Sequence, residues 1–318
     1  MKQNKYDVVC AGVALADLII KGFDPNPVSK GRFLSESATL NVGGEALNEA
    51  VTAARLGLRT GILCFLGDDS VGQIIEKALW DNGVDTAPAV RPEGMGTPIT
   101  AMFVDESGDR KSIMSGSHKY NFHPELHMDV LSETKAVTLG SLFRAPFCEP
   151  DAVKRFLMRA KENGVLTFAD TKLPNFWDLT LSDMKEVLPL IDYIFPNEDE
   201  ARHYTGETDP EREADVFLSY GVKNVIVKLG SKGCLFRNES EKMFIPAFKI
   251  DAVDATGAGD NFLSGFIKGT LSGRTHGESL RIASACGAMC ARHVGAINGA
   301  KSMEEVERFI SSTELSQP

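Results

Sequence analysis

Residues 254–260 read Asp-Ala-Thr-Gly-Ala-Gly-Asp and run directly into a helix-like segment, residues 261–266, that reads Asn-Phe-Leu-Ser-Gly-Phe. The first N–H groups of a helix have no partner within the helix and lie at the positive end of its dipole. Glycines let an anion come close to that backbone. Because Asp260 ends the loop, a phosphate bound there would lie near a carboxylate able to take a proton from a hydroxyl. A tight turn with an acidic helix N-cap is the alternative interpretation.

A second glycine motif lies near the front of the chain. Residues 43–50 read Gly-Gly-Glu-Ala-Leu-Asn-Glu-Ala and lead to Ala-Arg-Leu-Gly at residues 54–57. Gly43 and Gly44 allow a substrate to press on the backbone at a helix start. The amide of Asn48, one turn further on, can both donate to and accept from sugar hydroxyls. By itself, the motif also fits an ordinary helix that begins at glycine and ends at Gly57.

Strand-like and helix-like runs alternate along most of the chain. The predicted strands are Val8–Ala11, Gly61–Leu66, Ala136–Leu139, Leu166–Ala169, Tyr193–Phe195 and Asn224–Leu229. The predicted helices between them are Glu45–Leu56, Val71–Asp81, Asp151–Asn163, Ser182–Leu188, Glu198–Tyr204 and Glu211–Ser219. This alternation predicts an α/β fold with a mostly parallel central sheet and helices on both faces, a three-layer sandwich. Ligands in such sheets bind beyond the carboxyl ends of the strands.

Two early segments interrupt the alternation, and the last third of the chain changes character. The interrupting segments, about residues 18–41 and 97–115, contain the predicted strands Leu18–Lys21, Ser37–Asn41, Thr97–Val104 and Lys111–Ser115, with a turn at 105–109. They predict a small sheet inserted into the main domain, and decorative hairpins are the alternative. In the last third, the sequence predicts a hairpin formed by Ser231–Arg237 and Lys242–Pro246. Three predicted helices follow it, at Asp260–Leu271, Glu278–Arg292 and Met303–Ser311.

Length and composition limit the class of protein. The 318 residues are long enough for a large core, and we expect one α/β domain over residues 1–318. A net charge of -10 argues against a nucleic-acid binder, which would need a basic surface to displace counterions. The chain has no Gly-x-x-x-x-Gly-Lys-Ser/Thr loop, which excludes P-loop kinases. Gly12 is followed by Val-Ala-Leu rather than by a second glycine, which weakens a dehydrogenase interpretation.

The start of the chain and its cysteines predict a cytoplasmic protein without membrane segments. The apolar run Val8–Ala11 is too short for a signal peptide, and no apolar segment is long enough to span a bilayer. The six cysteines are scattered, and although Cys286 and Cys290 could share a helix face, no second pair or histidine completes a zinc pattern. We therefore expect reduced thiols buried in the core.

Both glycine motifs together closely resemble the signatures of the ribokinase-like (PfkB) carbohydrate kinases, and the resemblance covers essentially the whole chain. Ala255 departs from the usual Thr or Ser, a small change. The resemblance implies the ribokinase-like fold, with the small sheet as a β-lid over the sugar site. It implies that Asp260 is the general base and that the backbone of Gly257, Ala258 and Gly259 forms an anion hole for the transferred phosphoryl group.

The resemblance also assigns residues to the acceptor. Asp17, Gly43, Gly44 and Asn48 would bind the sugar, with the Asp17 carboxylate able to accept from two vicinal hydroxyls. A simple turn aspartate is the alternative for Asp17. Asp170 ends a central strand and is expected to face the site. Relatives often have Asn or Arg close to this aspartate, whereas this chain has Lys172 there. Because Lys172 departs from the pattern, a role in binding substrate or phosphate stays open.

Further residues match positions that serve ATP and Mg²⁺ in the family. Asn197 and Glu200 would organise Mg²⁺, its waters and phosphate oxygens, although an acidic helix start alone explains them as well. Lys228, Gly230 and Gly233 match the stretch along the nucleotide, where Lys228 would reach a phosphate as a point charge. Cys286 belongs to a helix with small residues that would leave room for adenine, and plain helix packing is an almost equal explanation.

Some implications of the resemblance stay open. Many relatives bind a monovalent cation beside the anion-hole loop, and the matching positions for a K⁺ site are Asp254, Thr256 and Gly295. In many relatives the lid also supplies a homodimer contact. The lid and its surroundings also carry the charged residues Arg110, Lys111, His118 and Lys119. Their side chains either contact a negatively charged substrate or are exposed to solvent.

The predicted function is ATP-dependent transfer of a γ-phosphoryl group to a hydroxyl of a small sugar. Ribokinase, fructokinase and 2-keto-3-deoxygluconate kinase activities all remain open, and sugar-phosphate kinases are less favoured. A nucleoside kinase of the same family is an alternative. A catalytically silent sensor of sugar or nucleotide is another, and the intact loop with Asp260 argues against it.

Overall fold

The computed structural model describes residues 4–22, 35–105, 110–115, 122–175 and 178–316. In chain order, the strands of this part are β1 (Tyr6–Ala11), β2 (Leu15–Lys21), β3 (Ser37–Gly43), β4 (Thr60–Leu63), β5 (Val84–Asp85), β6 (Ile99–Val104), β7 (Arg110–Met114), β8 (Thr134–Leu142), β9 (Leu166–Thr171), β10 (Tyr193–Phe195), β11 (Asn224–Lys228), β12 (Gly233–Asn238) and β13 (Lys242–Pro246). The helices are α1 (Glu45–Arg55), α2 (Ser70–Asp81), α3 (Pro150–Glu162), α4 (Glu198–Thr205), α5 (Pro210–Ser219), α6 (Ala258–Leu271), α7 (His276–Ala291) and α8 (Met303–Ser312). None of these helices is long and apolar enough to cross a membrane.

Nine strands form the central sheet, in the order β13-β12-β11-β10-β9-β8-β1-β4-β5. All neighbours from β11 to β5 are parallel, and β12 and β13 add an antiparallel hairpin at one edge. The short edge strand β5 has no counterpart in the sequence prediction. From β1 the chain builds the sheet outward in both directions, so that the carboxyl ends of β1 and β8 flank the point where the strand order reverses. This is where open α/β sheets bind ligands.

The core has one layer on each face of the central sheet, because successive strand residues point to opposite sides. In β1, Val8 and Cys10 pack into the cluster that includes Leu47 of α1 and Phe266 of α6. Val9 lies in the opposite cluster, with side chains of α3 and α5. The three-layer arrangement predicted from the alternation of strands and helices is therefore confirmed.

The four remaining strands form a separate small sheet in the order β3-β2-β6-β7. Here β2 pairs antiparallel with β3 and parallel with β6, and β6 pairs antiparallel with β7. The predicted small sheet is thus present. The predicted turn at 105–109 lies mostly outside the described residues, and His118 and Lys119 lie outside them.

One predicted helix, Ser182–Leu188, is wrong. The segment forms a series of turns that leads into a 3-10 helix at Leu188–Leu190. Most of its backbone bonds reach back three residues, as from Met184 N–H to the carbonyl of Leu181. Pro189 contributes to the difference at the end of the segment, because a proline disfavours the α conformation in the residue before it, here Leu188.

Candidate functional site

The loop before α6 turns sharply at Gly257. This residue is the N-cap of α6 and has φ 76° and ψ 0°, the left-handed conformation that favours glycine. A Cβ at this position would lie 2.3 Å from the Cβ of Ala296, so no side chain fits. The glycine therefore lets the loop close against residue 296 while the first N–H groups of α6 stay at the helix start.

The two glycine motifs meet at the pair Asn48 and Asp260. The amide nitrogen of Asn48 donates to Oδ2 of Asp260 at 2.7 Å, although 212 positions separate the two residues. Both side chains are 5% exposed. The helices that carry them are joined further by a 3.0 Å bond from the Thr52 hydroxyl to Oδ1 of Asn261. The packing of α1 on α6 thus holds the carboxylate and the amide in one place.

The environment of Asp260 makes its carboxyl group less acidic than usual. Burial raises its pKa to about 6, the ammonium of Lys172 opposes this shift, and the carboxylates of Glu45 and Asp170 add to it. At neutral pH the group is still mostly ionised, and its proton affinity lies close to the ambient pH. Such a carboxylate is suited to accept a proton from a hydroxyl.

The other predicted acceptor residues lie around the start of α1. Gly44 is the N-cap of α1, and its φ is 99°. A Cβ on Gly43 would lie 2.8 Å from Oδ2 of Asp17, so the Asp17 carboxylate lies directly over this glycine. Burial, and then Glu45, raise the pKa of Asp17, while a hydrogen bond from Thr100 opposes the shift. The structure therefore brings Asp17 of the small sheet to the front glycine motif.

The amide oxygen of Asn48 is available to accept a hydrogen bond from a ligand. Oδ1 of Asn48 is buried and accepts no hydrogen bond within the described part of the chain. The cost of leaving a buried acceptor unpaired is about 1–3 kcal/mol. A ligand hydroxyl that donates to this oxygen would remove the cost.

Asp170 and Lys228 form a largely buried ion pair next to the start of α6. Asp170 is 1% exposed at the end of β9, and Lys228 ends β11. A Cβ on Gly259 would lie 3.3 Å from Nζ of Lys228, so this ammonium is next to the loop. Lys228 and Asp170 therefore lie next to Gly259 at the start of α6.

Asn197 and Glu200 stabilise the start of α4 through reciprocal bonds. The Asn197 side chain accepts from the Glu200 N–H, and Oε2 of Glu200 accepts from the Asn197 N–H, each at 2.9 Å. The hydroxyl of Thr171 donates to the same Oε2 at 2.8 Å. Burial, together with Asp170, raises the pKa of Glu200, and Lys228 opposes the shift. Glu200 is thus both a capping residue and part of the charge cluster around Asp170.

The carboxylates of the site suit a metal ion that is bound jointly by the protein and by the phosphate groups of a substrate. Among the described residues, no group of three or more His, Cys, Asp or Glu side chains is arranged to hold a metal ion. Mg²⁺ commonly keeps several waters and is bound by one or two carboxylates together with substrate phosphates. Glu200 and Asp170 supply carboxylates of that kind close to the loop.

Three residues predicted to contact the nucleotide have different surroundings. Cys286 is fully buried, and its sulfur lies 2.9 Å from the position of a Cβ on Gly265 of α6. Its side chain therefore packs between α6 and α7 and does not line an open wall. A Cβ on Gly233 would lie 2.0 Å from the carbonyl oxygen of Ile245, so the β12–β13 hairpin itself requires this glycine. Gly230 has open space around it.

The positions predicted for a monovalent cation cluster behind the loop. Oδ1 of Asp254 accepts from the Thr256 N–H at 3.0 Å and from its hydroxyl at 2.6 Å. Oδ2 accepts from the Gly295 N–H at 3.1 Å. Asp254 therefore ties the loop to the segment after α7.

Two charged residues of the site were missed from the sequence. Glu49 is fully buried, its Oε2 accepts from the Thr138 hydroxyl at 2.5 Å, and its Oε1 has no partner within the described residues. Glu45 lies 3.8 Å from Nζ of Lys172. The available signal for Glu49 was an acid in the run 46–51, where Asn48 is the other polar residue. The Glu45–Lys172 contact left no signal, because 127 positions separate the two residues in the chain.

Comparison with known proteins identifies the family. The model of the pfkB family of carbohydrate kinases matches residues 6–303. The chain belongs to this family. The resemblance inferred from the two glycine motifs is confirmed, and so is the prediction of an ATP-dependent sugar kinase.

Relatives with different acceptors resemble the chain to similar extents. Ribokinase of Haemophilus influenzae is 29% identical over 273 residues, which cover 84% of this chain and 87% of the relative. The 2-dehydro-3-deoxygluconokinase of Bacillus subtilis is 26% identical over 293 residues, covering 88% and 90%. Among solved structures, Arabidopsis thaliana ribokinase complexed with ribose and ATP superposes with a TM-score of 0.82 at 26% identity, covering 96% of this chain and 98% of that one.

Proposed function

We propose that this protein transfers the γ-phosphoryl group of ATP to a hydroxyl of a small sugar, with Asp260 as the general base. The observation that carries the assignment is the 2.7 Å bond between Asn48 and Asp260. It supports the assignment because Asp260 is the predicted base and Asn48 is predicted to bind the acceptor. The buried Oδ1 of Asn48, which has no partner among the described residues, supports the same role because it can accept from a sugar hydroxyl.

Asp17, Gly44 and Asn48 would orient the acceptor. The Asp17 carboxylate over Gly43 can accept from two vicinal hydroxyls. Asp260 would then accept the proton of the attacking hydroxyl, since it is mostly ionised at neutral pH with a pKa of about 6. The small sheet would act as a lid that excludes water, the competing acceptor.

The start of α6 would receive the transferred phosphoryl group. The N–H groups of Gly257, Ala258 and Gly259 lie at the positive end of the helix dipole, and Lys228 lies under Gly259. When bound, Mg²⁺ would neutralise phosphate charge, held through water by Glu200 with Asn197 beside it. Most of the rate acceleration would come from positioning and electrostatics, because phosphoryl transfer needs little covalent help from the protein.

An ADP-release assay tests this function directly. The protein is given ATP, Mg²⁺ and, one at a time, pentoses, hexoses, ketoses, sugar acids and nucleosides. We expect acceptor-dependent ADP release with at least one sugar. Release only with nucleosides would favour the nucleoside-kinase alternative. Ligand-dependent thermal stabilisation without turnover for the whole panel would identify a sensor and contradict the proposal.

A K⁺ site behind the loop is a secondary part of the proposal. It is supported by the way Asp254 joins Thr256 to Gly295. A bound cation there would hold the loop that carries Gly257 in its anion-binding shape. Equal activity in potassium chloride and tetramethylammonium chloride would contradict this part without affecting the assignment of Asp260.

Association through the small sheet and a cytoplasmic location complete the proposal. Leu40 of β3 and Ile113 of β7 are 44% and 67% exposed, which supports a covered face in a dimer. A monomer by light scattering at assay concentration would contradict the dimer.

All six cysteines lie in the described part of the chain as buried free thiols, consistent with a reducing compartment. Fractionation of cells that produce the protein checks the location.

A further inference from the structure

Glu45 and Lys172 face each other at the acceptor side of the site. Glu45 is the first residue of α1, directly after Gly44, and Lys172 follows the end of β9. Nζ of Lys172 lies 3.8 Å from Oε1 of Glu45 and 3.9 Å from Oδ2 of Asp170. The side chains of Glu45 and Lys172 are 21% and 27% exposed, so both remain within reach of a ligand.

The carboxylate of Glu45 acts on the groups that would hold the acceptor. It raises the pKa of Asp17 after burial, and it contributes in the same direction at Asp260 and Glu49. Burial disfavours the ammonium of Lys172, but the surrounding carboxylates, first Asp170, outweigh burial and raise its pKa. Lys172 is therefore a permanent cation that the protein's own carboxylates already surround.

An anionic substituent on an acceptor would need a free cation in this place. Within the described part of the chain, Lys172 is the ammonium next to the start of α1, and Glu45 already pairs with it at 3.8 Å. Glu45 also supplies the negative charge that the positive end of the α1 dipole attracts. An anionic group on the acceptor would therefore lie close to the carboxylates of Glu45, Asp17 and Asp260. In a partly buried site, such like-charge contacts weaken binding.

We propose that Glu45, held by Lys172, makes this protein select neutral sugars and reject sugar acids and sugar phosphates as acceptors. The inference rests on the proposed sugar-kinase function and narrows its substrate class. The Glu45 carboxylate does not weaken the binding of a neutral sugar, because it can accept hydrogen bonds from the sugar hydroxyls. It repels the negative charge of a sugar acid or a sugar phosphate.

The test compares neutral and anionic acceptors in the full-length protein and its variants. The acceptors are ribose and fructose against 2-dehydro-3-deoxygluconate and fructose 6-phosphate. In the wild type, we expect kcat/KM for the better neutral sugar to exceed that for either anion. Glu45→Gln removes the carboxylate nearest to Lys172 and leaves Asp170, which is also paired with Lys228, so the anionic-to-neutral ratio of kcat/KM should rise by about tenfold or more. Lys172→Gln should lower this ratio, and the double variant should lose the gain of Glu45→Gln.

A gain with anionic acceptors cannot result from misfolding, which makes the Glu45→Gln result decisive. Glu304→Gln is the matched control, because Glu304 is an exposed glutamate in the first turn of α8. Wild-type preference for an anion, or a ratio unchanged in Glu45→Gln, would overturn the inference. Should no acceptor release ADP, the kinase proposal itself fails. Thermal stabilisation by the same four compounds would then decide the selectivity, with stronger stabilisation by the anions overturning it.

Discussion

The amide of Asn48 donates to the carboxylate of Asp260 across 2.7 Å, and its oxygen is buried with no partner among the residues that the structure describes. The nitrogen of the Asn48 amide thus contacts the proposed base, and its oxygen is left without a hydrogen-bond donor among the described residues. In the proposed function, that donor would be a hydroxyl of the sugar.

The first prediction concerns the pH dependence of turnover. The folded pKa of Asp260 is raised to about 6, mainly by burial, and only the ionised form can take the hydroxyl proton. Activity should therefore be lost as the pH falls through about 6, and not near 4 as for an ordinary aspartate. The measurement is kcat/KM for the preferred sugar between pH 4.5 and 8, with circular dichroism at each pH. An acid limb near pH 4 in folded protein would contradict the environment described for Asp260.

Asn48→Ala should impair both acceptor binding and the base. Loss of a hydrogen bond to a charged group costs about 1.5–3 kcal/mol, so kcat/KM should fall by about 10- to 100-fold. The acid limb should also move to higher pH, because the bond from Asn48 lowers the pKa of Asp260. Thr52→Val is the matched control, since it removes the other polar contact between α1 and α6, the bond to Asn261. If both variants change the pH profile equally, the effect is one of helix packing.

Gly257→Ala should remove activity through the shape of the loop. The residue has a φ of 76°, and a Cβ would lie 2.3 Å from that of Ala296, so the loop must move. Gly273→Ala is a close control, because Gly273 has a φ of 73° and nothing within 4 Å of its Cβ position. Both variants carry backbone strain of about 1–2 kcal/mol, but only Gly257→Ala should lose turnover. Chemical unfolding and ADP release measure the two effects, and full activity in Gly257→Ala would exclude a role for this turn.

The buried Glu49 predicts a pH-dependent gain in stability on neutralisation. Burial, together with Asp260, raises its folded pKa well above 4.5, so ionisation opposes folding. For a raised carboxyl pKa, this loss of stability is absent below the unfolded pKa and grows as the pH rises above it. Glu49→Gln should therefore raise the free energy of unfolding by at least about 1 kcal/mol more at pH 8 than at pH 4.5. Urea unfolding at both pH values, with the exposed Glu307→Gln as control, checks this, and an equal effect at both would contradict it.

The sequence predicted the parts of the site that consist of local patterns. The loop at Gly257 and the helix start at Gly44 could be identified because a glycine in a sharp turn before a helix leaves a local pattern. The alternation of strands and helices gave the parallel sheet for the same reason. Even the small sheet was predictable, since its strands were the runs that broke the alternation.

What the sequence could not supply was contact between distant residues. The bond from Asn48 to Asp260 and the pair of Glu45 with Lys172 depend on how α1, α6 and β9 pack. Likewise, Cys286 looked suited to an adenine pocket because it is small, but its sulfur packs toward Gly265. At Ser182–Leu188 a helix was predicted, and the segment instead forms turns that lead into the 3-10 helix at Leu188–Leu190.

The most direct measurement of the central claim is single-turnover phosphoryl transfer by Asp260→Asn. The substitution keeps the size of the side chain and removes the base, so we expect native circular dichroism, ATP-dependent thermal stabilisation like that of the wild type, and a rate lower by about 10²- to 10⁴-fold. Asp251→Asn, at an exposed aspartate just before the loop, should keep the wild-type rate. A folded, ATP-binding Asp260→Asn protein that turns over at nearly the wild-type rate would contradict the assignment of Asp260 as the base.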